Sequence, residues 1–217
     1  MAAPRHERLM VVGPAGPLEA LLEIPSDAEP AAAALVCHPH PLHGGTMDNK
    51  VVHTLARAFT ACGAAALRFN FRGVGASAGT FDDGRGELAD ALAAAAHVRA
   101  RWPDRPFLLG GFSFGAAVAT RAAAGLTADA LVTVALPFDR LGAVRALPRL
   151  PWLLVHGADD ALIELDALVG WLDSLPPGPE LEVVAGADHF FHGKLAQLRA
   201  SVEAFVRELP SRATHER

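Results

Sequence analysis

The sequence lacks the features that mark several specialised classes of protein. Its 217 residues include only two cysteines, Cys37 and Cys62, which are too few for a disulfide framework and fit a reducing compartment. Its 19 Lys and Arg are outnumbered by 24 Asp and Glu without any block of like charge, which disfavours nucleic-acid binding. Every apolar run is interrupted well before the roughly 18 residues that a membrane span needs.

Residues 1–8 also lack the apolar core of a signal peptide. We therefore expect a cytoplasmic protein that binds neither membranes nor nucleic acids. About half of the chain (51%) is apolar, and no repeat or low-complexity linker divides it. The length suits one buried core, so we predict a single domain over residues 1–217, with a polar, frayed tail at 211–217.

Short apolar runs alternate with longer alanine-rich stretches of helical periodicity. Strands are predicted at residues 8–12, 18–24, 33–37, 65–69, 107–109, 130–135, 152–156 and 181–185. Helices are predicted at residues 49–61, 87–101, 114–124, 166–175 and 194–209. The first two strands suggest an antiparallel hairpin, and the rest an α/β fold with a mainly parallel sheet of about eight strands and helices on both faces. Only about 15 residues separate the sixth and seventh strands, which leaves no room for a cap domain.

The pattern Gly-x-Ser-x-Gly occurs twice, around Ser77 and around Ser113. A nucleophile elbow needs a buried strand that enters a tight turn and a helix that leaves it, because the helix N-terminus favours developing negative charge. Ser113 lies between the strand at 107–109 and a helical segment, whereas turn-forming residues follow Ser77. The context predicts Ser113 as the nucleophile and an accidental match at Ser77.

Candidates for an acid and a base follow in the chain order that this elbow requires. Asp159 and Asp160 come directly after the strand at 152–156, where a carboxylate can hold an imidazole tautomer. His189 follows the last predicted strand and would lie at the same sheet edge. His192 is three residues further along, so we favour His189 as the base.

A histidine-rich segment, His38-Pro39-His40-Pro41-Leu42-His43, follows the third predicted strand. Imidazole suits zinc, but the prolines hold the chain extended and no other Cys or His pair has fitting spacing, so we predict no metal site. This loop is placed instead to give an oxyanion hole its second backbone N–H, opposite that of Phe114. Proline has no N–H. His40 and Leu42 are the candidates, and we prefer His40.

A glycine-rich turn at residues 72–75 follows the fourth predicted strand. Such a turn can bind a dinucleotide phosphate when a helix opens from it, but no helical segment begins here. We predict a structural loop in which a salt bridge or backbone carbonyls hold Arg72, and no cofactor.

Together, HPHPLHGGTMDN (38–49), RFNFRGVGASAG (68–79), GFSFG, HGADD and GADHFF resemble the α/β-hydrolase superfamily over essentially the whole chain. They are most similar to a compact bacterial group of serine hydrolases without a cap. In that group the acid stands three residues after the glycine of a His-Gly pair, which implies Asp160 here. The resemblance implies hydrolysis of a small-molecule ester or thioester through an acyl-enzyme, by a triad of Ser113, His189 and Asp160.

Other functions remain open at this point. The chain could be a catalytically silent binding protein of the same fold, or a peptidase or amidase that uses the same triad. A further alternative has Cys37 as nucleophile with His38 or His40, but a thiol at the end of a buried strand is usually inert.

Without a cap, only short loops such as 80–86 and 137–148 would cover the triad. We expect the pocket to suit short or medium acyl chains, without activation at a lipid interface. Phe112 could equally belong to the core. The apolar side chains expected to line the pocket are Phe112, Phe114, Leu136, Phe138 and Phe190.

Overall fold

One mixed sheet organises the chain in the computed structural model, which describes residues 3–26, 28–141, 147–176 and 178–215. The strands are β1 (Arg5–Gly13), β2 (Gly16–Ile24), β3 (Ala32–Cys37), β4 (Ala64–Phe69), β5 (Phe107–Phe112), β6 (Ala130–Val134), β7 (Trp152–Gly157) and β8 (Glu180–Val184). They are hydrogen-bonded in the order β1-β2-β4-β3-β5-β6-β7-β8. β1 and β2 form the predicted hairpin, β2 is also antiparallel to β4, and every other pairing is parallel.

Within the described ranges, five α-helices cover both faces of this sheet, as predicted. They are α1 (Lys50–Ala61), α2 (Arg85–Arg101), α3 (Phe114–Ala123), α4 (Leu165–Asp173) and α5 (Leu195–His215). Buried residues of α1 and α5 pack into one apolar cluster, and those of α2, α3 and α4 pack into another on the opposite face. None of the described helices is long and apolar enough to cross a membrane.

The central strands are apolar almost without interruption because both of their faces are covered. In β3, Ala33 and Leu35 pack into the cluster of α2 and α3, whereas Ala34 and Val36 pack into that of α1 and α5. All four side chains are fully buried. This double burial explains why the sequence pattern gives the positions of these strands but not which side chain faces which helix.

Several elements extend beyond their predicted bounds, among them β1, which spans Arg5–Gly13 and not only 8–12. β5 continues through Gly110 and Gly111 to Phe112, because both glycines pair with β3 on one side and β6 on the other. α5 continues to His215, into the segment expected to fray, where Arg212 and Ala213 are good helix formers. The predicted tail is therefore helical over residues 211–215, and residues 216–217 lie outside the described part of the chain.

The segment between β6 and β7 contains one short 3-10 turn, Phe138–Arg140, among its described residues. Residues 142–146 of the predicted 137–148 loop lie outside the description. A segment of this length cannot form a cap domain.

Packing of Phe59 on the middle of the sheet gives a test of this fold. The ring is fully buried, and a Cβ atom added to Gly110 would lie 2.9 Å from its Cε2. Phe59→Ala should lower the free energy of unfolding by about 3–5 kcal/mol, because it leaves a cavity between α1 and β5. Val12→Ala is the control, since Val12 is 89% exposed, and should change it by less than about 0.5 kcal/mol. Urea unfolding followed by tryptophan fluorescence measures both, and similar midpoints for the two variants would contradict this packing.

Candidate active site

Ser113 stands at a strained turn between β5 and α3. Its backbone has φ 54° and ψ −122°, a region that a residue with a side chain occupies only under constraint. Gly111 and Gly115, which flank Ser113, leave no room for a side chain. A Cβ atom would lie 2.2 Å from the Gly115 carbonyl oxygen if added to Gly111, and 2.4 Å from the Cys37 carbonyl oxygen if added to Gly115. The motif therefore sets the Ser113 side chain at the N-terminus of α3, as in a nucleophile elbow.

The Ser113 hydroxyl lies in hydrogen-bond contact with His189, which in turn contacts Asp160. His189 Nε2 is 3.1 Å from Ser113 Oγ, and His189 Nδ1 is 2.8 Å from Asp160 Oδ2. A carboxylate only accepts, so Nδ1 carries the imidazole proton and donates to Asp160. Nε2 is then free to accept the hydroxyl proton of Ser113, which is the arrangement that general-base catalysis needs.

Two backbone amides fix the Asp160 carboxylate. The N–H groups of Leu162 and Ile163 donate to Asp160 Oδ1 at 2.8 and 3.0 Å. Burial alone would raise the pKa of Asp160, but the hydrogen bond and charge of His189 and these two amides lower it below its ordinary value. The carboxylate is therefore ionised at neutral pH and can stabilise a protonated His189.

A neighbouring histidine supports the Asp160 loop. His156 is fully buried, and its Nε2 lies 2.9 Å from the Ile163 carbonyl oxygen, to which it donates. It thereby fixes the turn whose amides bind Asp160. Burial lowers the pKa of His156, which keeps the ring neutral beside the carboxylate.

The structure does not bring the competing residues to Ser113. Asp159 is exposed, and His192, also exposed, pairs with Asp188 at 2.6 Å. Ser77 is buried, donates to the Asn70 carbonyl oxygen at 2.7 Å and accepts from the Glu19 N–H at 2.9 Å. Ser77 therefore has a structural role, because it links the backbones of Glu19 and Asn70. The match to the Gly-x-Ser-x-Gly pattern gave no sign of this role.

Cys37 is likewise poorly suited to act as a nucleophile. Its side chain is fully buried in the core, and burial raises the pKa of the thiol far above its ordinary value. A thiol that stays protonated is a poor nucleophile, so the structure argues against the cysteine alternative.

Two backbone N–H groups near Ser113 remain available for an oxyanion. Within the part of the chain that the structure describes, those of Phe114 and His40 donate to no protein acceptor. The Leu42 N–H instead donates to the His40 ring nitrogen Nδ1 at 3.2 Å. The His38 carbonyl oxygen would lie 2.4 Å from a Cβ atom on Gly115, so this loop touches the start of α3. The geometry thus favours His40 over Leu42 as the second donor.

The residues that anchor this loop were not identified from the sequence. His38 is fully buried; its Nδ1 donates to the Pro39 carbonyl at 2.6 Å, and its Nε2 accepts from the Phe71 N–H at 3.0 Å. Asn70 accepts from the Met47 N–H at 2.8 Å. The available signal was that His38 and Asn70 are polar and directly follow two buried strands, β3 and β4. A buried polar side chain needs a hydrogen-bond partner, so such residues could have been predicted to bind a nearby loop.

Two arginines complete this support. Arg68 is buried, donates to Glu23 at 3.0 Å and also donates to the Met47 carbonyl oxygen. Arg72 forms the predicted salt bridge, through Nε and Nη2 to Asp90 at 2.9 and 2.7 Å. The segment 68–79 therefore fastens the oxyanion loop to the sheet and to α2.

A cavity of about 680 Å³ opens beside Ser113. Phe114 and Phe190 line it, as expected, but the other three predicted residues do not. Phe112 and Leu136 are fully buried, and the Phe138 ring stacks on Trp171 with centroids 5.3 Å apart. Phe112 is the last residue of β5 and belongs to the apolar core, where its ring packs against that of His189.

The sequence is similar to known proteins over most of its length. Residues 32–208 match the family described as Alpha/beta hydrolase domain. An uncharacterised protein of Rickettsia prowazekii (strain Madrid E) is 31% identical over 196 residues, which are 85% of this chain and 82% of that protein.

Solved structures are similar over almost the full length. A Xanthomonas campestris protein, described as an α/β serine hydrolase without lid, is 41% identical with a TM-score of 0.88, and 94% of each chain is covered. A Coxiella burnetii α/β serine hydrolase homologue is 38% identical with a TM-score of 0.86, covering 91% of this chain and 96% of that one.

The burial of His38 predicts a pH-dependent stability. Burial lowers its pKa to about 4 in the folded chain, against about 6.5 when unfolded. Between these values only the unfolded chain takes up the proton, so the stability contributed by His38 is lost as the pH falls through this window.

His38→Gln should be less stable at neutral pH, although its amide oxygen can still accept from the Phe71 N–H. It should also be less sensitive to acid. From pH 7 to pH 5, urea unfolding should show a loss for the parent chain that exceeds the loss for the variant by about 2 kcal/mol. Equal losses would mean that His38 is not the titrating group.

Proposed function

The chain belongs to the α/β-hydrolase family, and from this premise we propose that it hydrolyses carboxylic esters or thioesters with Ser113 as its nucleophile. The observation that carries the proposal is the contact series from the Ser113 hydroxyl through His189 to the ionised Asp160, at an elbow that opens into the cavity. The Xanthomonas campestris protein described as a serine hydrolase supports it, at 41% identity.

In the first half of the proposed reaction, Ser113 Oγ attacks the substrate carbonyl carbon while His189 Nε2 takes the hydroxyl proton. The carbonyl oxygen becomes an oxyanion, which the N–H groups of Phe114 and His40 stabilise together with the N-terminus of α3. His189 then gives its proton to the leaving alcohol or thiol, and an acyl-enzyme remains.

In the second half, a water molecule repeats the attack on the acyl-enzyme. His189 takes a proton from the water and returns it to Ser113 Oγ, which releases the carboxylic acid. Asp160 stays ionised throughout and stabilises the imidazolium that forms in each half. This assignment needs no metal and no cofactor.

Replacement of the nucleophile tests the proposal directly. Ser113→Ala should lower the turnover of short-chain para-nitrophenyl esters by about 10³-fold or more, because the oxyanion donors alone give only residual catalysis. A fluorophosphonate should label Ser113, as located by mass spectrometry. Ser174→Ala is the matched control, since the exposed Ser174 hydroxyl donates to the Trp171 carbonyl oxygen away from the cavity. Parental activity in Ser113→Ala, or labelling at Ser77, would refute the nucleophile assignment.

The second oxyanion donor can be tested by removing a single N–H. The backbone of His40 has φ −55°, which proline can adopt, so His40→Pro deletes the donor with little backbone strain. His40→Ala deletes the imidazole but keeps the N–H, and the comparison of the two isolates the donor. We expect kcat to be about 10²-fold lower in His40→Pro than in His40→Ala, with similar unfolding midpoints. Equal kcat values would exclude the His40 N–H and return Leu42 as the candidate.

A further inference from the structure

The active-site cavity extends along α3 to the positively charged side chain of Arg121. Phe114, Ala117 and Arg121 all line it, and their spacing places them on one face of the helix, starting directly after Ser113. Helical side chains tilt toward the N-terminus, so the long Arg121 side chain extends back toward Ser113. The guanidinium and Ser113 therefore border the same cavity.

Contacts with the loop before α2 fix the position of this guanidinium. Arg121 Nη1 donates to the Gly84 carbonyl oxygen at 3.1 Å. A Cβ atom built on Gly84 would lie 3.2 Å from Arg121 Nη1 and 3.7 Å from the Phe114 ring, so the cation and the ring border the same small region. A guanidinium has five N–H donors, and the Gly84 carbonyl uses one of them.

Among the described residues, no carboxylate forms an ion pair with Arg121. Across the described residues, none lies within the 4.0 Å of an ion pair with it. Glu87, a buried carboxylate in the first turn of α2, instead accepts from the N–H groups of Asp82 and Gly84 at 2.9 and 2.7 Å. The other charged side chains of the cavity wall, Asp83, Asp139 and Arg140, are exposed at its rim, where water screens them. Arg121 is half-buried, so it would gain more from an anionic partner than they would.

We propose that Arg121 binds a carboxylate at the far end of the substrate's acyl chain, so that the preferred substrates are monoesters or monothioesters of dicarboxylic acids. The chain between the two carbonyl groups would lie against the Phe114 and Phe81 rings, whose centroids are 5.9 Å apart. This inference rests on the proposed function, since it assigns the ester carbonyl to Ser113.

Matched esters test the inference by kinetics. The substrates are para-nitrophenyl monoesters of adipic and suberic acid and, with the same number of acyl carbons, para-nitrophenyl hexanoate and octanoate. At neutral pH and low salt, kcat/KM should be about tenfold or more higher for the monoester in at least one pair, as expected for a charge-assisted contact. The ratio should fall as salt is added.

Variants test whether the ratio of kcat/KM values, monoester over neutral ester, depends on Arg121. In Arg121→Gln the ratio should fall to near one, and in Arg121→Lys it should be intermediate, because lysine keeps the charge but not the planar donor set. Arg85→Gln removes the same charge from the nearby surface, where Arg85 pairs with Asp82 at 3.0 Å, and should keep the parental ratio. A parental ratio near one, or equal losses in Arg121→Gln and Arg85→Gln, would overturn the inference.

A binding measurement separates this inference from the proposed function. Calorimetry with the Ser113→Ala chain should show tighter binding of monomethyl adipate or suberate than of the neutral dimethyl ester, by about tenfold. Adding Arg121→Gln should remove the difference. Equal binding of both esters would overturn the role of Arg121 whatever the kinetics show. Undiminished ester hydrolysis by Ser113→Ala would instead overturn the proposed function and leave the binding result to decide the role of Arg121.

Discussion

The close approach of the α3 N-terminus to the end of β3 is the constraint on which the candidate site depends. Gly115 allows the helix to touch the carbonyl groups of Cys37 and His38, and Gly111 allows β5 to pass beneath the first turn. This contact places the loop after β3 beside Ser113. A side chain at either glycine would separate Ser113 from the loop after β3. The two glycines therefore matter as much to the proposed chemistry as the residues proposed to react.

A buried polar network holds the loop in that position. Arg68 and Glu23 form an ion pair whose side chains are almost fully buried. Asn70 accepts from the Met47 N–H of the loop, and His38, within the loop, accepts from the Phe71 N–H. Buried pairs of this kind contribute little net stability, since desolvation offsets much of their attraction. Their effect here is to fix one loop conformation, which preorganised donors require. The site is thus positioned by interactions that contribute more to precision than to folding free energy.

The sequence predicted the fold well because its signals are local. Alternation of apolar runs and helical segments located the eight strands and five α-helices of the described residues. The sequence context pointed to Ser113 and His189 but left Asp159 and Asp160 open, and the resemblance to capless serine hydrolases pointed to Asp160, the carboxylate that the structure brings into contact with His189. The pocket was predicted less well. Phe112 was expected to line it, but the direction of a strand side chain depends on the register and twist of the sheet, which periodicity does not give when both faces of the strand are buried. Leu136 and Phe138 were also expected there, but they follow β6 in a connecting segment whose conformation periodicity does not predict. The anchoring roles of His38 and Asn70, and the contact of Arg121 with Gly84, arise between segments that are distant in sequence.

The two proposed oxyanion donors, Phe114 and His40, use main-chain N–H groups, while the side chains of the same residues line the cavity. Most single substitutions at these positions would reshape the pocket and keep the donor intact, since proline alone removes it. Mutation can therefore change substrate choice at these positions without first destroying turnover. Such a separation between the group that stabilises charge and the surface that recognises substrate leaves the pocket free to diverge during evolution, and it allows library selection at both positions to start from active variants.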